Sequence, residues 1–380
     1  MKRRTFLSLV GGGCVLAAGG VGAFAVTRTP HKALAPWTIG HDRSADPRLR
    51  ALSYAILAPN PHNRQPWLVE MTGSDAFVLH ADPARRLPET DPFDRQLTIG
   101  LGCFLELVDL AARSGGHRAD IALFPDGPDA DRLSAGPVAA VRLVPDTNGA
   151  ADPLFSGVLR RRSLKEPFDA DRAVPELAAQ ALIEDRSPAA AGFTLDSGRI
   201  QELRALAWEA HVIESTTPRT MQESVDLMRI GRAEIEASPD GIDLGGPFLE
   251  ALAIAGLMTR ETLADPESTA FGEGMRLYEE IHKTAMGYYW ITTPTNSRHD
   301  QIAAGRAYVR ANLIATQSGL GMHPVSQALQ EYPEMAGHLA GLHAMLGAGD
   351  GQRVQMLARI GYGPETRPSP RWPLAARLTG

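Results

Sequence analysis

At 380 residues, with 44% hydrophobic and 22% charged residues, the chain is long enough for a large core or two smaller ones. A net charge of −6 without any long basic run excludes the usual electrostatic footprint of a nucleic-acid binder. The 37 glycines and 28 prolines imply many turns, yet no segment is low in complexity.

Residues 1–25 form a unit apart. Lys2-Arg3-Arg4 precedes an uncharged run from Thr5 to Thr27, with a small-x-small cleavage site at Ala23-Phe24-Ala25. Paired Arg3-Arg4 followed by Thr5-Phe6-Leu7 has the form of a twin-arginine export signal. The chain is therefore expected to engage the Tat translocon and to work in the periplasm or another extracytoplasmic space. The alternative is an uncleaved signal that anchors it in a membrane. With the leader removed, Cys103 is the one remaining cysteine, so no intrachain disulfide can form. The twin-arginine route carries folded proteins, a first pointer to a cofactor loaded before export.

Residues 26–46 read as a linker rich in Pro, His and Asp. From Pro47, Leu49, Leu52, Ile56 and Leu57 recur at helical spacing until the cluster Pro59–Pro66 stops the helix. The stretches 67–73 and 76–82 predict a hairpin around Thr72-Gly73-Ser74-Asp75. A strong helix follows over 96–115, then strands near 119–126 and 138–146. The pattern restarts after a loop at 145–155, with a helix breaking into a turn over 152–168 and another begun by Pro175. Residues 198–288 are mostly helical in period, with loops near 238–247 and 262–268. The apolar run at Tyr288-Tyr289-Trp290 reads as core. A second strong helix spans 305–319, and the segment 353–363 is strand-like.

The two strong helices match at an offset of 204: Phe104 falls on Tyr308, Leu105 on Val309, Leu110 on Ile314 and Ser114-Gly115 on Ser318-Gly319. Each is followed by a strand. This predicts an α+β chain duplicated internally, a single-chain pseudo-dimer with a half at 47–150, a half at 151–380, and a helical insertion about 190–285.

Two short motifs carry chemistry. In "RRRSLKEPF" the residues Arg161, Ser163 and Lys165 bring a guanidinium fork, a hydroxyl and an ammonium together, a set suited to phosphate. In "APNPHNRQPW" the residues Pro59, Asn60, Pro61 and Asn63 exceed what a cap or turn needs, whereas Pro66 and Trp67 suit packing. His338 and His343 are five apart and share no helix face, and no Cys/His cluster has zinc spacing, so no metal is expected.

Together the motifs resemble the nitroreductase family of flavoproteins, in particular its fused, single-chain, Acg-type branch. The resemblance covers most of residues 47–125, 152–182 and 285–375. It implies a nitroreductase-like three-layer α+β fold and a bound FMN, with Arg161, Ser163 and Lys165 at the phosphate and Pro59, Asn60, Pro61 and Asn63 over the flavin. It adds Arg371 as a further phosphate ligand, and Ser326 and Gln327 as contacts beside the isoalloxazine. Each half keeps one motif only, so one complete site is expected at the seam between halves, with the insertion as its lid. No catalytic side chain is singled out, because the cofactor would supply the redox chemistry. The implied activity is transfer of hydride or electrons from reduced flavin to a small electron-poor acceptor, a nitroaromatic or quinone. NAD(P)H or an unknown reductant would be the donor. The alternatives are a protein that binds FMN, or senses redox state, without NAD(P)H turnover, and a structural relative without flavin.

Overall fold

The computed structural model describes residues 27–41, 45–129, 131–146, 148–184 and 189–379. The leader and its cleavage site lie outside them. The stretch expected to be a linker is built instead: α1 (His31–Leu34) leads into a 3₁₀ segment, and Ala33 and Trp37 are buried. Its proline and histidine content hid a single aromatic anchor.

α2 (Pro47–Ala55) starts at Asp46, whose carboxylate accepts from the Arg48 amide, with Pro47 in the first turn where no amide hydrogen is needed. The hairpin forms as its alternation dictates: β1 (Trp67–Thr72) and β2 (Ala76–Ala81) pair antiparallel from Trp67–Ala81 to Thr72–Ala76. Gly73 takes φ +55° in the turn. α3 (Arg95–Ser114) follows, then β3 (His117–Leu123) and β4 (Pro137–Pro145). The expected helix near 152–168 is only a 3₁₀ turn over Pro153–Gly157. α4 (Glu176–Ala181) begins after Pro175 as expected.

β5 (Ala190–Thr194) opens the second half's sheet. The insertion holds α5 (Ser197–Thr216), α6 (Pro218–Asp226), β6 (Met228–Ile230), α7 (Gly231–Ala237), β7 (Ile242–Leu244), α8 (Pro247–Ile254), α9 (Arg260–Ala264) and α10 (Thr269–Lys283). β6 and β7 pair in parallel, where a loop was expected at 238–247. Three-residue strands show no readable alternation. β8 (Gly287–Thr293), α11 (Arg298–Gln317), β9 (Gly321–Pro324), α12 (Ala336–Met345) and β10 (Arg353–Gly361) complete the half. Tyr288 and Tyr289 are buried in β8, as expected of core.

The tail then crosses back: β11 (Leu378–Thr379) pairs in parallel with β1. One large sheet therefore runs β11-β1-β2-β4-β3 and a second β5-β8-β10-β9, apart from the β6–β7 pair. α3 and α11 pack together between them, and one continuous apolar core takes residues from both helices and both sheets. The class is α+β, as expected.

The helix crossing is reciprocal. A Cβ on Gly102 would sit 2.3 Å from the Ile302 carbonyl oxygen, and one on Gly305 would sit 2.0 Å from the Ile99 oxygen. Ile99 thus corresponds to Ile302 and Gly102 to Gly305, an offset of 203. The offset of 204 read from side-chain similarity is one residue too long. Amphipathic helices match themselves at several registers, whereas only glycine admits this backbone approach. Glu106 fastens the pair by accepting from Arg306 at 2.7 Å and Arg310 at 2.8 Å.

Candidate functional site

The segment between α2 and β1 is held by its own side chains. The Asn60 carbonyl accepts from the Gln65 amide at 2.7 Å, and its NH2 donates to the Ala58 oxygen. Asn63 donates to the Pro370 oxygen and accepts from Arg371 at 2.5 Å. His62, Asn63 and Gln65 all hold positive φ, between 45° and 51°, unusual for side chains with a Cβ. The loop can lie flat on α3 because position 100 is glycine; a Cβ there would meet the Asn60 Cβ at 3.0 Å. Trp67 is fully buried against Phe104, the packing role expected of it. The Asn60 and Asn63 amides fasten the loop and the tail, and Pro59, Asn60, Pro61 and Asn63 all stay half-buried.

Two arginines reach this loop from later in the chain, and a third, Arg162, lies beside them. Arg161 donates to the Leu57 oxygen and to Asn312 of α11, each at 3.0 Å. Arg371, on the crossing tail, donates to the oxygens of Leu57 and Ala58. Arg162 lies over the Trp37 ring at 4.6 Å, with Arg371 at 5.5 Å and Arg161 at 5.9 Å. Trp37 is itself pinned by donation to the Ser369 oxygen at 2.8 Å. Indole faces attract cations, so Trp37 covers the cluster on one side.

The charges are not balanced. Among the described residues no carboxylate pairs with Arg161, Arg162 or Arg371, and the Nε atoms of Arg161 and Arg371 are buried without an acceptor. Burial and the neighbouring charges of Arg161 and Arg162 push Arg371 down to about 9; burial and Arg161 push Arg162 down to about 10. Burial lowers Arg161 as well. Buried like charges repel unless an anion joins them, so the cluster is a ready-made anion site.

The other predicted residues extend away from it. Ser163 stands beside the Tyr308 phenol. The Leu164 amide donates to Met322 of β9, which sets Lys165 near His323. Lys165 keeps exposed surface, and the protein around it lowers its pKa, opposed by Asp243 and aided by Arg371. Ser326 starts the 3₁₀ turn Gln327–Leu329, and Gln327 reaches Glu214 of α5. Arg161 of one motif and Arg371 of the tail thus both reach the start of the other motif, at Leu57 and Ala58. Sequence reading missed Trp37, Arg162 and Glu214, which carry no local signal beyond the basic run.

The insertion closes over the loop. Asp240 takes Arg85 at 2.7 Å, Arg229 at 2.9 Å and Arg64 at 3.3 Å, while Gln65 donates to the Pro239 oxygen at 2.7 Å. Burial alone would raise Asp240, but hydrogen bonds from Ser238 and Arg229 and the charges of Arg229 and Arg85 hold it below the ordinary carboxylate range. A carboxylate lowered on folding stabilises the latch above its unfolded pKa of 3.8 and loses that contribution as pH falls below it. Asp240→Asn is expected to speed proteolytic cutting within 230–265 several-fold at pH 7, because three guanidiniums lose their partner. An unchanged digestion rate would show that the latch lies elsewhere.

Among the described residues there is no metal-ligand cluster, and no helix is long and apolar enough to cross a membrane. No family model matches the chain. Two curated proteins of Mycobacterium tuberculosis are similar: "Putative NAD(P)H nitroreductase Rv3131" of strain H37Rv and "Putative NAD(P)H nitroreductase MT3217" of strain CDC 1551. Each is 25% identical over 333 residues, covering 85% of this chain and 87% of the relative. Among solved structures, the FMN-dependent nitroreductase NfnB from Mycobacterium smegmatis in complex with NADPH aligns at 17% identity and TM-score 0.36, covering 57% of this chain and 92% of its own. A nitroreductase with bound FMN from Bacteroides fragilis aligns at 12% and 0.33, covering 57% and 91%.

Proposed function

We propose that the protein is an FMN-dependent oxidoreductase of the nitroreductase type, built as a single-chain pseudo-dimer with one site at its seam. The carrying observation is the cluster of buried Arg161 and Arg371 with half-buried Arg162, none of which makes an ion pair among the described residues, and in which the Nε atoms of Arg161 and Arg371 lack acceptors. A phosphate monoester fits it in charge and in its supply of acceptor oxygens. The similarity to relatives named as NAD(P)H nitroreductases supports the same reading. Arg161, Arg162 and Arg371 would hold the phosphate with Trp37 behind them and Lys165 nearby, and Pro59 and Pro61 would flank the ring system. Bound FMN supplies hydride and electron transfer; the chain binds, orients and shields it. The acceptor would be a small electron-poor molecule, a nitroaromatic or quinone.

The closed latch at Asp240 favours a second reading, an FMN-binding or redox-sensing protein without NAD(P)H turnover, since the insertion covers the loop from which a nicotinamide would approach. On either reading the twin-arginine leader would place the protein outside the cytoplasm, where nicotinamides are scarce. The visible spectrum of purified protein incubated with FMN and desalted tests the proposal. Retained flavin bands are expected, and their absence sinks both readings. Reoxidation of the dithionite-reduced protein by a quinone then separates enzyme from binder.

A further inference from the structure

A second group of titratable side chains lines the insertion's side of the seam. Glu214 of α5 is 7% exposed, and its Oε2 is buried without a partner. His62, on the strained loop of the first half, brings Nε2 to 4.0 Å from the Glu214 Oε1. Such a gap is spanned by one rotation or one water. Gln327 and Gln330 also face Glu214, and the Oε1 of Gln330 is buried without a donor. Beside them His211, on the same helix, has its ring 4.2 Å from that of Tyr278 and 5.6 Å from that of His282.

We propose that Glu214 and His62 form a proton-delivery pair serving the electron-poor acceptor reduced in the seam. The proposal rests on the flavin reading above. His62 has Glu214 at its Nε2 and Lys165 near enough for its charge to act on the ring; a proton leaving Glu214 would enter at Nε2 while Nδ1 releases one toward the acceptor. The balance is complete for a quinone. Bound reduced flavin would supply the hydride, one proton would reach the carbonyl oxygen from Glu214 through His62, the hydroquinone would leave, and the Glu214 carboxylate would take a proton back from solvent.

The surroundings suit this. Burial raises Glu214 to about 7, partly offset by Gln327 and Gln330 and reinforced by Glu223 of α6. Its other titratable neighbours are Tyr278 of α10 and Tyr332 before α12. Burial, Lys165 and Arg64 lower His62 to about 4, so its imidazole is neutral and able to relay. Burial likewise lowers His211 to about 3 and His282 to about 4, and burial and Arg359 keep His323 neutral. Glu214 therefore holds the one transferable proton of the group near neutral pH.

The test uses the full chain loaded with FMN, reduced by dithionite and mixed with 1,4-benzoquinone or with ferricyanide, which takes electrons without a proton. Wild-type oxidation by quinone should slow as pH rises through about 7. Glu214→Gln should oxidise with quinone roughly 100-fold more slowly and lose that pH dependence. Its ratio of quinone to ferricyanide rates should fall at least tenfold. Equal slowing with both oxidants, or a retained pH profile, overturns the proposal. Infrared spectra between pH 5 and 9 give a second readout without flavin: a protonated-carboxyl carbonyl band that Glu214→Gln removes is expected, and its absence from wild type overturns the proposal. Failure to retain FMN, seen before mixing, would instead sink the flavin reading.

Discussion

Arg161→Ala combined with Lys165→Ala is expected to weaken FMN binding by roughly 100-fold or more, while riboflavin binds the variant and the wild type alike. A charge-assisted contact to a phosphate contributes about 1.5–3 kcal/mol, the nearby Lys165 charge adds to it, and riboflavin lacks the group they attract. Arg161 is held on Leu57 and Asn312, so its guanidinium is already placed and its Nε still lacks an acceptor. Preorganisation makes the loss large, because little ordering is left to be done on binding. Flavin fluorescence quenching gives both affinities on one preparation, and a thermal melt shows whether the variant folds. Unchanged FMN affinity in a folded variant would move the phosphate away from this cluster. Equal loss for FMN and riboflavin would assign the pair a structural role.

Gly305→Ala is expected to be among the most damaging single-methyl additions in the molecule. The new Cβ would meet the Ile99 oxygen at 2.0 Å, with the Cys103 nitrogen and Gly102 Cα at 2.9 Å, all backbone and none able to swing aside. Overpacking of a close-packed core costs about 1–3 kcal/mol and occasionally more, and this contact can be relieved only by moving α11 off α3. Gly102→Ala strikes the Ile302 oxygen from the other side of the same crossing. Once the helices have separated for one methyl, the second meets less resistance, so the double variant should lose clearly less stability than the two singles added. Urea unfolding measures all three. Additive losses would show that the two glycines answer to separate constraints.

These two predictions draw on different levels of information. The hairpin at 67–81, the helices over 95–114 and 298–317 and the burial of Trp67 follow from hydrophobic period and turn residues, which act over a few neighbours. The same local chemistry marked Arg161, Ser163 and Lys165 as an anion-binding set. Asn60 and Asn63 stood out by composition, but their partners, the Gln65 amide and the Arg371 guanidinium, could not be read from the motif. One of those partners lies 308 residues away.

The residue pattern alone thus determined an α+β chain with two similar helices and a basic, hydroxyl-bearing motif, because period and side-chain chemistry are local properties. Only the tertiary structure decided that the helices cross at an offset of 203, that Trp37 covers three guanidiniums, and that Asp240 and Glu214 of the insertion close on the loop. Each of these is set by contacts between residues distant in the chain. Their energies come from shape and uncompensated charge in a shared interior, which no stretch of sequence contains by itself.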